Sequence, residues 1–384
     1  MKLGSRRARI IVAVGIVVLA WFAWLRWLRP IDAGSGPVPP LLVDGWRVCR
    51  PSAQGFDEPA LHAATRRLFE RPLGVHAVVV ERRGCLVAET YRGGLDRTVY
   101  SLISTRRSFG PATLHDVRSV GKSVTGLLYG IALAEGRVPA PDQPAAVAFP
   151  GLAGRAASNA RRIRIRDLLD MSSGLAWMEG QPGLNDELRL FWKRDLPTYV
   201  LDRPMTHPPG VVFNYNGGGS ALLAAIITDR TGEPLDYFAR TRLLAPMGIH
   251  TLEWVRDVHG RPMAFNGLRL RPRDLLKLGR LFLDDGRWNG RQLVPAAWVR
   301  DARAPGLPTN IDGVRYRAQW WTGTAQWKGR KVVWHAAFGN GGQRLFVVPD
   351  LNLAIVTAAG AYDQLPTAIA VNRFVQDVVD TVQR

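Results

Sequence analysis

A serine and a lysine three residues apart, Ser119 and Lys122, open the run Ser119-Val-Gly-Lys-Ser-Val-Thr-Gly-Leu-Leu-Tyr-Gly-Ile-Ala-Leu-Ala-Glu135. Apolar residues at Val120, Val124, Leu127, Leu128, Ile131 and Leu133 recur close to the 3.6-residue period. The run therefore predicts a helix, which Gly136 ends. Residues three apart share a helix face, so the two polar groups sit side by side on its first turn. A serine hydroxyl attacks a carbonyl carbon only when a neighbouring base takes its proton. A lysine can be that base only where burial or other cations lower its pKa. The helix N-terminus adds free N–H groups and positive potential beside a developing oxyanion. Taken alone, the pair also reads as a capping serine with a solvated lysine; its weight comes from companions elsewhere in the chain.

Other residue types could carry different chemistry. His115 and Asp116, just ahead of Ser119, invite a Ser-His-Asp triad. However, no Gly-x-Ser-x-Gly elbow surrounds the serine, and residues three or four before a nucleophile seldom reach it with triad geometry. His207 and His335 could line a cleft or be satisfied structural histidines. Trp177, Glu179 and Trp192 fall on a loop-rich stretch that borders substrate or simply packs. None of the seven histidines has a helical H-x-x-x-H or H-E-x-x-H neighbour, so neither metal nor cofactor is expected. Gly341-Gly342 lacks the Gly-Lys-Ser/Thr ending of a phosphate loop. Cys49 and Cys85 are the two cysteines; they form a disulfide or stay as two buried thiols.

These residues need a frame. Asp57 caps a predicted helix over Glu58 to Glu70, with Pro59 in its first turn. Val75–Glu81 and Cys85–Tyr91 read as a hairpin around Arg82-Arg-Gly84. Ile163 to Gly174 reads as a helix ending in a turn, Tyr215-Asn-Gly-Gly-Gly219 as a loop feeding a buried helix at Leu222–Ile227, and Pro272–Phe282 as a further helix. Val332–Trp334, Leu345–Val348 and Leu353–Val356 read as late strands, followed by a closing helix from about Pro366. Strands at both ends with helices between them predict an α+β domain whose sheet pairs early and late segments.

The chain has 384 residues, 47% hydrophobic and 22% charged, with 51 Lys+Arg against 32 Asp+Glu for a net charge of +19. The basic residues are scattered rather than gathered in a stripe, and no zinc-finger or aromatic ribonucleoprotein motif accompanies them. Such a surface suits an anionic membrane or envelope polymer; nucleic acid is not an expected partner. Lys2, Arg6, Arg7 and Arg9 precede an apolar run from Ile10 to Leu25, and Trp21, Phe22, Trp24 and Trp27 occupy the place of a small-x-small cleavage site. Residues 1–30 are therefore expected to be an uncleaved signal-anchor in the inner membrane, with the body outside the cytoplasm. Residues 31–57, with Gly34-Ser-Gly-Pro-Val-Pro-Pro40, are an expected linker, and 58–384 the folded domain.

In order, Ser119-x-x-Lys122, Tyr215 after a Pro-Gly-x-x-Phe lead-in, and Ala337-Phe-Gly-Asn-Gly-Gly-Gln343 before a strand resemble the serine hydrolases related to class C β-lactamases. The likeness is to the branch of 6-aminohexanoate-oligomer hydrolases and bacterial esterases. It also takes in Ile165–Leu175, Leu270-Arg-Pro-Arg-Asp-Leu-Leu276, Trp288–Pro295 and Gln319-Trp-Trp321, and runs from about residue 60 to the end. The resemblance implies an antiparallel sheet flanked by helices, a helical subdomain, and a site between them. It implies Ser119 as the acylated nucleophile, Lys122 as its proton partner, and Tyr215 as a second acid/base whose phenol pKa the ammonium lowers. Backbone N–H groups of Ser119 and Asn340 would form the oxyanion hole. The implied substrate is a small amide or ester, hydrolysed without a cofactor. Two places depart from β-lactamases: Gly217 replaces the asparagine of Tyr-x-Asn, and Ala337-Phe338-Gly339 replaces the Lys/His-Thr-Gly that reads a β-lactam carboxylate. A penicillin-binding protein or β-lactamase, or an idle envelope-binding protein of this fold, are the alternatives.

Overall fold

The computed structural model describes residues 6–23, 39–153, 159–179 and 185–383. Nine strands build its frame: Arg47–Val48 (β1), Val75–Arg82 (β2), Cys85–Tyr91 (β3), Leu307–Pro308 (β4), Arg315–Arg317 (β5), Trp320–Trp327 (β6), Arg330–Gly339 (β7), Gln343–Val348 (β8) and Leu353–Ala359 (β9). Their spatial order is β1-β3-β2-β9-β8-β7-β6-β5-β4. Pairing is antiparallel throughout except for β1 on β3. The early hairpin meets the last strand, with Val79 opposite Val356, as the sequence pattern predicts.

Every residue of β2, β8 and β9 is buried, because alternate side chains enter two different cores. Ala77, Val79, Leu345, Val347 and Val356 face one core; Val78, Val80, Phe346, Val348 and Ile355 face the other. Helices Glu58–Glu70 (α2) and Leu365–Asp380 (α6) cover the second face. Pro272–Leu283 (α5) and Val120–Ala134 (α3) cover the first, and Gly217–Thr231 (α4) packs on α3 at the heart of a helical subdomain. A further helix, Arg6–Ala23 (α1), precedes the domain.

The Asp57 cap forms, its carboxylate accepting from Ala60 N at 3.0 Å. The helix expected over 163–174 is confined to Ile165–Leu169. Beyond it, Asp170 turns its carboxylate to Ala318 N at 2.8 Å and Met171 adopts a left-handed φ of 55°. The described part of the linker expected up to Asp57, from residue 39, is anchored to the domain at several points, although Leu41 and Val43 are exposed. Trp46 is buried and donates its indole N–H to Arg273 O at 3.2 Å, β1 extends the sheet, and Phe56 is buried. These apolar residues are too irregularly spaced to show a period, yet each finds its own slot. Cys49 and Cys85 are disulfide-bonded, which ties β1 to β3.

Among the described residues no helix is long and apolar enough to cross a membrane. The 18 residues of α1 span roughly 27 Å at 1.5 Å per residue, just under the ~30 Å of a bilayer core. Val12, Val14, Ile16, Val17, Leu19 and Trp21 on it are exposed. Lys2, Trp24, Trp27 and the Gly34–Val38 part of the expected linker lie outside the described residues.

Candidate active site

Helix α3 is buried on all sides from Val120 to Ala132, and its first turn faces the gap between sheet and helical subdomain. The turn before it is shaped by Asp116. One carboxylate oxygen accepts from Arg118 N at 2.9 Å and the other from Val99 N at 2.8 Å. This holds Arg118 in the left-handed region, φ 52°, where a non-glycine residue persists only if its surroundings impose it. His115 does not approach the serine. It is buried, hydrogen-bonded to His76 at 2.9 Å and to Asp116 O at 3.1 Å. The Ser-His-Asp alternative therefore has no geometry behind it.

Ser119 and Lys122 meet as the helical spacing requires: Lys122 Nζ lies 3.0 Å from Ser119 Oγ. The same nitrogen donates to Glu187 Oε2 at 3.0 Å and to Phe265 O at 3.1 Å, and lies 3.8 Å from Glu179 Oε2. Burial by itself would lower the lysine pKa, but the carboxylates of Glu187 and Glu179 and the Tyr215 oxygen outweigh it, and the pKa is raised. Lys122 is thus a resting ammonium, not the depressed amine that the sequence calls for. Glu179 absorbs the opposite pressure. Burial, then the neighbouring Glu187 charge, push it up to about 8, while Trp177 Nε1, at 2.8 Å, and Gly217 N donate to it.

Tyr215 completes the cluster. Lys122 Nζ sits 4.8 Å from its ring centre, and Ser119 is among the polar groups that act on its hydroxyl. The ring is fixed among Phe213, Tyr316 and Trp321. Its pKa is raised, not lowered as expected: desolvation of the buried phenol exceeds the pull of the ammonium, and Glu179 and Glu187 add to it. Gly217, where β-lactamases carry an asparagine amide, is filled by the carboxylates instead. A Cβ there would lie 2.7 Å from Glu179 Oε1 and 2.9 Å from Glu187 Oε2. That contact explains the glycine and shows what occupies the missing amide's place.

Strand β7 ends against the turn that leads into Ser119. A Cβ on Gly339 would lie 2.3 Å from Val117 O, so only glycine permits this approach. Asn340 follows in the turn to β8, its side chain bonded reciprocally to Asp363: Nδ2 donates to Asp363 Oδ1 at 2.7 Å and Oδ1 accepts from Asp363 N at 2.9 Å. Among the described residues neither Ser119 N nor Asn340 N donates to a protein acceptor. Gly341 and Gly342, φ 88° and 99°, make the tight turn packed on Tyr362 and Thr367.

Of the other sequence candidates, Trp177 supports Glu179, and Trp192 is exposed beside Phe191. His207 is exposed and bonded to Thr206. His335 is buried against Phe282, its pKa lowered to about 3 by desolvation. The sequence reading missed Glu187, Asn266 and Tyr100. Asn266 Nδ2 donates to Glu187 Oε1 at 2.8 Å and to Tyr100 OH at 2.9 Å, and Tyr100 holds a left-handed φ of 62°. Each is an isolated polar residue far from Ser119 in sequence, and no motif spacing marks it.

A flanked sheet, a helical subdomain and a Ser-Lys-Tyr cluster between them define the β-lactamase and penicillin-binding-protein class of fold. The chain belongs to the Beta-lactamase family, whose family model matches residues 70–379, and as a member it is a hydrolase. It is 26% identical over 301 residues to the 6-aminohexanoate-dimer hydrolase of Paenarthrobacter ureafaciens, covering 73% of this chain and 71% of the relative. Among solved structures, a penicillin-binding protein homolog from Caulobacter crescentus aligns over 91% of this chain and 99% of its own, at 17% identity and TM-score 0.64. The D-amino acid amidase of Ochrobactrum anthropi aligns over 84% and 97%, at 17% identity and TM-score 0.60.

Proposed function

We propose that the protein hydrolyses a small amide or ester through an acyl-enzyme on Ser119. The observation that carries this reading is the contact of the buried Lys122 Nζ with Ser119 Oγ at 3.0 Å, with the Tyr215 ring 4.8 Å from the same nitrogen. Because Lys122 rests as an ammonium, it must lose a proton before it can accept one. Glu187, 3.0 Å away, takes that proton while Lys122 takes the serine's. One Oγ–H and one Nζ–H bond break, and one N–H and one O–H bond form. Both transfers are internal, so the net charge of the cluster is unchanged: with Glu179 still protonated, the charge lost at Glu187 reappears on the serine alkoxide beside the Lys122 ammonium, and the low-dielectric site takes up no further charge. Oγ attacks the carbonyl carbon and the oxyanion points at Ser119 N and Asn340 N. Tyr215 gives its phenol proton to the leaving group and recovers it from the water that releases the acid.

β-Lactam cleavage is not favoured. Position 337 carries a buried alanine, and position 338 a phenylalanine stacked on Trp321 at 5.2 Å, so neither side chain offers a cation to a β-lactam carboxylate. We also place the body outside the cytoplasm, held by the N-terminal segment; the Cys49–Cys85 disulfide supports an oxidising compartment. The test of the activity is a fluorophosphonate and a penicillin, each mapped by mass spectrometry, with a screen of short esters and linear amides. Fluorophosphonate alone on Ser119, with turnover, is the expected result. Label by both would favour a penicillin-binding protein, and label by neither an idle scaffold. Protease digestion of the body in spheroplasts tests the location; full protection would overturn it.

A further inference from the structure

Arg344, on β8 opposite Phe338 of β7, has no place in the steps above. It is 5% exposed, and among the described residues it pairs with no carboxylate. Its guanidinium lies over the Phe338 ring, 4.3 Å from the centre. Nε donates to Asn372 Oδ1 at 2.7 Å, and Nη1 donates to Gly339 O and Gln343 O, both at 2.8 Å. Burying an uncompensated cation is costly, and burial pulls this one down to about 9, with the Tyr215 oxygen opposing. It remains charged at neutral pH.

The target of that charge is informative. Gly339 O and Asn340 N belong to one peptide unit, and Asn340 N is the second donor of the oxyanion hole in the reading above, on which this inference rests. A cation on the carbonyl end of an amide draws electron density from its nitrogen and makes its N–H a stronger donor. We propose that Arg344 is a positioning residue for the oxyanion hole, polarising and orienting the Gly339–Asn340 peptide from behind. The Asn340–Asp363 bonds and Gln343 Nε2, which donates to Asn340 O at 3.1 Å, hold the other sides of the same turn. The turn is thus gripped from β8, by Arg344 and Gln343, and from the loop ahead of α6, by Asp363, while the Asn340 N–H points at the substrate.

The size of the effect follows from its parts. A full oxyanion donor is worth ~10²–10³ in kcat, and polarisation strengthens a hydrogen bond by roughly 10–30%. Arg344→Met should therefore lower kcat about 2- to 8-fold with KM within about twofold. Lost packing could lower kcat too, so a second readout is required. The ³¹P resonance of the fluorophosphonate adduct on Ser119 senses hydrogen bonds to its phosphoryl oxygen. In Arg344→Met it should move toward its position in the denatured adduct, and in Arg344→Lys by less. Asn372→Asp keeps the arginine and its bond to Gly339 O but places a carboxylate on Nε, and should shift the resonance in the same direction by less. An adduct whose resonance is the same in wild type, Arg344→Met and Asn372→Asp would overturn the inference, whatever happens to kcat. Failure of wild-type Ser119 to form any adduct would instead overturn the reading of the site.

Discussion

At the scale of single residues the candidate site is a cluster of Ser119, Glu187 and Glu179 around Lys122 rather than an isolated serine–lysine pair. Ser119→Ala should abolish acylation. Tyr215→Phe keeps the ring among Phe213, Tyr316 and Trp321 and deletes only the hydroxyl, so kcat should fall by ~10²–10⁴ with the thermal midpoint little changed. Adding Lys122→Ala should cost little beyond the worse single change, since the residues act as a unit; independent, multiplying losses would separate their roles. Glu179 supplies a pH signature. Its carboxyl titrates at about 8, so as pH rises through 8 it gains a negative charge beside Lys122, and the ammonium is held more tightly. Activity should then fall on that limb, and Glu179→Gln, fixed in the neutral form, should keep neutral-pH activity and lose the fall near 8. A limb at 8 that survives in Glu179→Gln would assign it to another group. Ser119, Lys122 and Tyr215 were legible because local spacing and flanking residues mark them. Glu187, Asn266 and Tyr100 were not, because they converge only through tertiary packing.

Among the elements, α3 shows where pattern reading succeeds and where it stops. Its period predicts the helix, and its glycines look like weaknesses in it. In the fold they are contact points: a Cβ on Gly130 would lie 2.4 Å from the Trp298 ring, and one on Gly126 3.0 Å from Ala318 O. Trp298 also donates its indole N–H to Gly126 O at 3.0 Å. Gly130→Ala should gain about 1 kcal/mol in helix propensity and lose more, since overpacking costs ~1–3 kcal/mol or more against a rigid ring. A lower denaturation midpoint than wild type is the expected outcome, and a higher one would show that Trp298 moves aside freely. The same reasoning explains α4, expected from Leu222 but starting at Gly217. Three glycines argue against a helix by propensity alone, yet they admit Glu179, Glu187 and Trp177 to its first turn. The hairpin of β2 and β3 was legible because its apolar run is bounded by turn residues. Strand β6 was not, since Thr322, Gly323, Thr324 and Gln326 dilute it and only pairing with β7 defines it.

For the whole molecule, the Cys49–Cys85 disulfide cross-links the segment ahead of the domain to its sheet. Cys49 and Cys85 are 36 residues apart, and closing such a loop is worth about 4 kcal/mol in the chain-entropy account. Reductant should lower the thermal midpoint, and thiol labelling under denaturing conditions should require it; free labelling of both cysteines without reductant would remove the bond from the protein in solution. A different consequence attaches to the sheet order. Ser119, the proposed nucleophile, lies in the first third of the chain, whereas β7, which leads into Asn340, and β9, which closes onto β2, come from the last sixty residues or so. A ribosome delivers these parts in sequence, so the serine exists for most of synthesis with no surface to complete it. On the proposed reading, hydrolytic competence is therefore a property of the finished chain: a nascent or truncated product ending before β7 would carry the Ser-x-x-Lys motif and remain chemically silent toward acyl compounds in the compartment where it is made.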